Sequence, residues 1–157
     1  MPGLEDLYRE IILDHYRNLR NRGELPVPPA HKVEGFNPLC GDEVVIYIDV
    51  EDGKVSDVRI DGQGCSISQS SASMMSAAVK GKSVHEARAM TRAFKAMMSI
   101  HESSLDGGEG DVVEADPDVK LGDLEALRGV VKFPVRIKCA TLSWNTLTQG
   151  LDEAEAG

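Results

Sequence analysis

Two stretches, Glu43–Val50 (EVVIYIDV) and Val55–Ile60 (VSDVRI), joined by Glu51-Asp52-Gly53-Lys54, decide the fold. Both are rich in Val and Ile, and Asp-Gly between such runs signals a hairpin, because the tight turn that matches strand twist needs positive φ at its central residues. An antiparallel pair is therefore the starting point. Upstream, Val33–Phe36 adds a short edge strand, and Pro26, Pro28 and Pro29 make a stiff extended connector before it. Further back, Leu4, Leu7, Tyr8, Ile11, Ile12, Tyr16 and Leu19 recur at helical spacing, so Leu4–Arg20 is read as an amphipathic helix. Its apolar stripe needs a surface, and the chain's own domain is the first choice over a partner.

Downstream of Gly64 the pattern turns helical, from about Ser66 to Lys80, with Gly81 as a C-terminal stop. Ser83 and Glu86 fit a capping box for a second helix whose Val84, Ala87, Met90, Phe94, Met97 and Met98 recur to about Ile100. Between Glu102 and Glu125 stand nine acidic residues and one base, Lys120, so nearly all of the net charge of −9 is concentrated there. That stretch is expected to be a solvated loop, an acidic insertion at about 101–120, until Leu121–Leu127 offers a short helical turn. A last helix opens near Pro134, tolerated in a first turn, and runs to Gly150.

With 157 residues, 41% of them hydrophobic and 27% charged, the chain can bury one core, and residues 1–157 are read as a single domain. The acidic balance argues against nucleic acid and anionic membrane surfaces as partners. No run reaches the ~18 apolar residues of a membrane span and no secretory signal is recognised, so the expected location is the cytoplasm.

Three cysteines cannot all pair with one another, and a reducing compartment disfavours disulfides. Cys40 and Asp42 lie two apart in Asn37-Pro38-Leu39-Cys40-Gly41-Asp42, where Pro38 and Gly41 mark a tight turn able to aim both side chains at one point. Cys65 follows two glycines in Gly62-Gln63-Gly64-Cys65 and precedes a helix N-terminus, a setting that favours thiolate. Cys139 has Arg136 and Lys138 within three positions. A single free cysteine is most often a small buried hydrophobe. Here two of the three sit in glycine-marked turns at element ends and the third is flanked by charge, and three thiolates with one carboxylate make a tetrahedral set for zinc. Arg136 and Lys138 would offset its excess negative charge, or simply form a solvated basic helix start.

These motifs resemble the cysteine segments of the IscU/NifU-like iron–sulfur assembly family, in order: Asn-Pro-Leu-Cys40-Gly-Asp42, Gly-Gln-Gly-Cys65-Ser-Ile-Ser-Gln-Ser-Ser-Ala-Ser, and Arg136-Ile-Lys-Cys139-Ala-Thr-Leu-Ser-Trp. The resemblance runs from Leu4 to about Leu147. It implies an α+β fold, a small three-stranded antiparallel sheet with helices packed on one face. Lys138 replaces the His that precedes the third cysteine in IscU-type scaffolds, and the long stretch between Cys65 and Cys139 resembles the insertion of the SufU branch. Membership of that branch implies a zinc-dependent sulfur-transfer protein. Its partners would be a SufS-type, pyridoxal-phosphate-dependent cysteine desulfurase and downstream SUF assembly proteins. Cys40, Asp42, Cys65 and Cys139 would then be the zinc ligands, with Cys40 the sulfur acceptor and Arg136 at the transfer site.

Two other functions use the same residues: a scaffold on which an iron–sulfur cluster is built, since thiolates hold clusters as well as zinc, and a structural zinc module for protein contacts. Lys138 and the insertion favour transfer over the scaffold, and Asp42 is unusual in a structural zinc site. Three further features have plain readings. Arg88, Arg92 and Lys95 form the wet face of a helix; Met74, Met75, Met90, Met97 and Met98 fill the core; and His15, His31, His85 and His101 lack any ligand motif.

Overall fold

The structure is a computed structural model that describes residues 2–27, 29–38, 41–105 and 122–156. Cys40 and residues 106–121, which include most of the acidic insertion, lie outside the described residues. Strands β1 (His31–Asn37), β2 (Asp42–Glu51) and β3 (Lys54–Gln63) form an antiparallel sheet in the order β1-β2-β3. The expected hairpin is present: Asp52 and Gly53 have φ of 52° and 76°, the left-handed pair that an Asp-Gly turn supplies at low cost. Alternation assigns the faces. Val33, Val44, Ile46, Ile48, Val58 and Ile60 point to one side and are buried, while Lys32, Glu34 and Glu43 on the other are exposed.

Helices α1 (Pro2–Arg17), α2 (Ser66–Val79), α3 (Val84–Leu105) and α4 (Pro134–Ala156), with a 3₁₀ helix at Gly122–Lys132, complete the fold. α4 crosses the apolar face of the sheet and buries Trp144, Leu147 and Leu151. It runs six residues past Gly150, which reads as a stop in the sequence but is a contact point. A Cβ there would stand 3.1 Å from Val33 Cγ2 and 3.3 Å from Ile48 Cγ2. Glycine lets helix and sheet approach closely. Phe94 of α3 stacks on Trp144 with ring centroids 5.1 Å apart, and Arg88 ties α3 to α4 through Asp152 at 2.8 Å and Glu155 at 2.5 Å. One member of the basic stripe is therefore an inter-helix tether, whereas Arg92 is exposed as expected.

The first helix packs on its own domain. Tyr8, Ile11 and Ile12 meet the core, and buried His15 pairs through Nδ1 with Ser73 Oγ at 2.8 Å. It ends at Arg17 rather than Arg20 because the next residues turn to cap α2's serines: Arg20 N–H donates to Ser73 Oγ at 2.9 Å, and Asn21 Nδ2 to Ser76 Oγ at 3.2 Å. The proline connector is bent, not extended, since Ala30 N–H returns to the Pro26 carbonyl at 3.0 Å. α3 continues five residues beyond Ile100, into the start of the expected insertion. The 3₁₀ helix outruns the expected turn because Leu124, Leu127 and Val130 recur every three residues, the period that keeps one face of a 3₁₀ helix buried. Four of the methionines, Met74, Met75, Met97 and Met98, are core filler.

Candidate metal centre

At the end of the sheet opposite the hairpin, the apolar inner face gives way to a polar row. Asn37 and Asp42 are register partners on β1 and β2, both inward and buried, Asp42 with no exposed surface at all. Beyond them the chain leaves β3 through Gly64, where a Cβ would lie 2.5 Å from Asp42 Oδ1 and 3.1 Å from its Cα. Only glycine allows this crossing. It delivers Cys65 as the N-cap of α2, with extended backbone (φ −70°, ψ 167°) and a sulfur that accepts the Ser68 N–H at 3.4 Å. Cys139 comes from the second turn of α4 and is wholly buried between Ile137 and Ala140. Ser71 Oγ donates to the Ala140 carbonyl at 2.6 Å, fixing α2 against α4 beside both thiols.

The structure thus brings together three of the four expected ligands, Asp42, Cys65 and Cys139, with one ligand atom of each within 4.8 Å of the others. Donors around one tetrahedral zinc stand ~3.3–3.8 Å apart, from bond lengths of ~2.0–2.3 Å. A small closure satisfies that. The donor set also fits by charge, because a buried carboxylate beside two thiols is costly unless a cation shares the space. Asp42 is prepared for the charged form. Burial is the largest single influence and pushes its pKa up, but the Cys65 N–H, the Cys139 thiol, the Asn37 amide and the Cys65 side chain together hold it below the usual carboxylate value. The Cys65 N–H donates to Asp42 Oδ1 at 2.9 Å.

Arg136 sits in the first turn of α4, exposed, its N–H bonded to the Phe133 carbonyl at 2.8 Å. With Cys65, Tyr8, Ile12, Val130 and Phe133 it lines a groove of about 850 Å³ between α1 and the 3₁₀ helix. The groove leads to the half-buried Cys65 thiol, while Cys139 is sealed behind it. Lys138 points to solvent, in keeping with a solvated helix start. Among the described residues the cluster holds no histidine: His15, His31 and His85 stand outside it. Sequence reading missed Asn37, whose amide donates to Asp42 Oδ2 at 3.2 Å and to Cys139 Sγ at 3.6 Å. Carrying the β1 alternation one residue further, from Phe36 to Asn37, places a polar side chain on the inner face, and that was the available signal.

No helix of the described residues is long and apolar enough to cross a membrane. The chain is 44% identical over 155 residues to the zinc-dependent sulfurtransferase SufU of Bacillus subtilis (strain 168), covering 99% of this chain and 96% of that one. It is 36% identical to the iron–sulfur cluster assembly scaffold protein IscU of Streptococcus pyogenes serotype M1, over 96% and 86% of the two chains. The crystal structure of FiSufU from Fervidobacterium islandicum AW-1 superposes with a TM-score of 0.75 at 36% identity, covering 90% of this chain and 94% of that one. Residues 7–140 match the model of the NifU-like N-terminal domain, and with the three-stranded sheet, its one-sided helices and these relatives, the chain belongs to that family.

Proposed function

We propose that this protein is a zinc-binding sulfur-transfer protein of iron–sulfur cluster assembly that takes persulfide sulfur from a SufS-type, pyridoxal-phosphate-dependent cysteine desulfurase and passes it to downstream SUF assembly proteins. The supporting observation is the convergence of a buried carboxylate and two thiols from β2, α2 and α4 within 4.8 Å of one another. Similarity to a protein named as a zinc-dependent sulfurtransferase agrees with it. Asp42, Cys65 and Cys139 are the proposed ligands. Cys40 is the proposed fourth ligand and the sulfur acceptor, on the strength of its sequence position two residues before Asp42 and the family resemblance of that motif. Zinc, when bound, holds thiols as thiolates without redox chemistry of its own.

The transfer step needs no oxidant. The Cys40 thiolate attacks the terminal sulfur of the donor's persulfide, a new S–S bond forms to Cys40, the donor's S–S bond breaks, and the electron pair leaves on the donor cysteine as thiolate. Arg136 cannot ligate a metal, because a guanidinium has no free acceptor. It serves by charge-assisted hydrogen bonding to the thiolate or persulfide, or to Asp42. Tyr8, Ile12 and Phe133 give the groove apolar walls beside Arg136. Cluster scaffolding would use the same donors, and Lys138 in place of a histidine beside Cys139 favours transfer.

Mass spectrometry after mixing the protein with a cysteine desulfurase and cysteine tests this reading. It predicts one or more added sulfur atoms on the peptide carrying Cys40. Cys40→Ser should abolish both the added mass and stimulation of the desulfurase, and Arg136→Ala should lower stimulation with zinc retained. Persulfide confined to Cys139, or absent from the chain, contradicts the proposal.

A further inference from the structure

Asn37 ends β1 with only 5% of its surface exposed, and the alternation of that strand turns it toward the helices, opposite Asp42. Its Nδ2 donates to Asp42 Oδ2 at 3.2 Å and to Cys139 Sγ at 3.6 Å, a residue 102 positions away in the chain. A primary amide nitrogen carries two N–H protons, so one group serves both acceptors together. Chemistry fixes the orientation of the amide. Turned over, it would set its carbonyl oxygen against a carboxylate and a sulfur lone pair.

Asp42 Oδ1 accepts the Cys65 N–H at 2.9 Å and Oδ2 accepts the Asn37 amide, and the thiols of Cys65 and Cys139 reach the same carboxylate. A carboxylate oxygen offers two lone-pair directions, so the N–H bonds leave room for a cation that takes the place of the thiol protons. The Cys65 contact comes from backbone and survives most substitutions. The Asn37 contact comes from a side chain and bridges the sheet's carboxylate and the thiol of α4, which also meet each other directly.

We propose that Asn37 is a positioning residue of the metal centre: its amide sets Asp42 and Cys139 at a fixed separation, so that carboxylate and thiolate face one cation before the cation arrives. The proposal rests on reading Asp42, Cys65 and Cys139 as a metal centre. Donors that orient metal ligands typically contribute ~10–100-fold to metal affinity, because without them the ligands must be ordered at the moment of binding. Asn37 is buried and does not line the groove, so its effect should appear in metal binding ahead of any transfer step.

The test uses Asn37→Leu, which keeps the branched heavy-atom shape and removes the donor, with Asn37→Ser as a second variant that keeps a small polar group should Leu fail to fold. Three measurements are made on each: zinc release to a chelator, the absorption spectrum with cobalt(II) in place of zinc, and the urea midpoint of the metal-free protein. Release about 10–100-fold faster than wild type, with shifted cobalt ligand-field bands, is the expected result. A residue that merely fills space would move the metal-free midpoint and leave release and spectrum unchanged, and that outcome overturns the proposal. Wild-type protein that takes up neither zinc nor cobalt overturns the metal reading itself, a failure separable from an unchanged variant.

Discussion

The two ends of β2 are built by opposite means. At Glu51 the strand passes into β3 through Asp52 and Gly53, neighbours whose φ angles of 52° and 76° alone make the turn. At Asp42 it begins in a row assembled from β1, β3, α2 and α4, where Asn37, Gly64, Cys65 and Cys139 all meet one carboxylate. The hairpin end is specified locally and tolerates change locally. The other end is specified by contacts between distant segments, so a change in any one displaces the rest. This contrast predicts that substitutions at the site end alter both stability and metal binding, and that those at the hairpin end alter stability alone.

Cys139→Ala is the largest test. It removes a wholly buried thiol, and the variant should lose tight zinc binding, with thermal melting no longer sensitive to chelator. Since binding at a site absent from the unfolded chain is folding energy, wild-type protein stripped of metal should lose several kcal/mol, or ~10 °C at ~2–4 °C per kcal/mol. Melting that is indifferent to chelator in both proteins would break the comparison. Asp42→Ala comes next. It should leave a folded protein with a three-thiolate site that gives up zinc faster, and an unchanged release rate in chelator competition would remove Asp42 from the ligand set.

Gly64→Ala places a methyl 2.5 Å from Asp42 Oδ1 and should cost about 1–3 kcal/mol in urea unfolding while lowering zinc occupancy, although Gly64 ligates nothing. Normal occupancy would show that the approach of Gly64 to Asp42 is not needed by the site. Smallest is Gly53→Ala at the hairpin end. A methyl there meets no atom within 4 Å, so the cost is backbone strain alone, about 1 kcal/mol, with zinc content and release unchanged.

The same contrast explains what could be read in the sequence. The hairpin, the α2 start after Gly64 and the Val/Ile faces of the sheet follow from neighbours or short periods. Helix ends were harder. Gly150 looks like a stop until it is seen against Val33 and Ile48, and Arg20 looks helical until it is seen bonded to Ser73. Of the site, Cys40, Asp42 and Cys65 stood out by residue type and glycine-marked turns and Cys139 by its flanking charge, and Asp42, Cys65 and Cys139 do converge. Asn37 was in the quoted motif yet was read only as part of a turn, because its partners lie on another strand and on α4. Local patterns name the donors, and the tertiary fold supplies the group that orients them.

The central claim, a zinc centre built from Asp42 and the cysteines, is tested most directly by metal analysis of the native protein purified without added zinc or iron. One tightly held zinc per chain, with little iron and no acid-labile sulfide, is the predicted result. Iron with acid-labile sulfide and little zinc, or no bound metal at all, would contradict it.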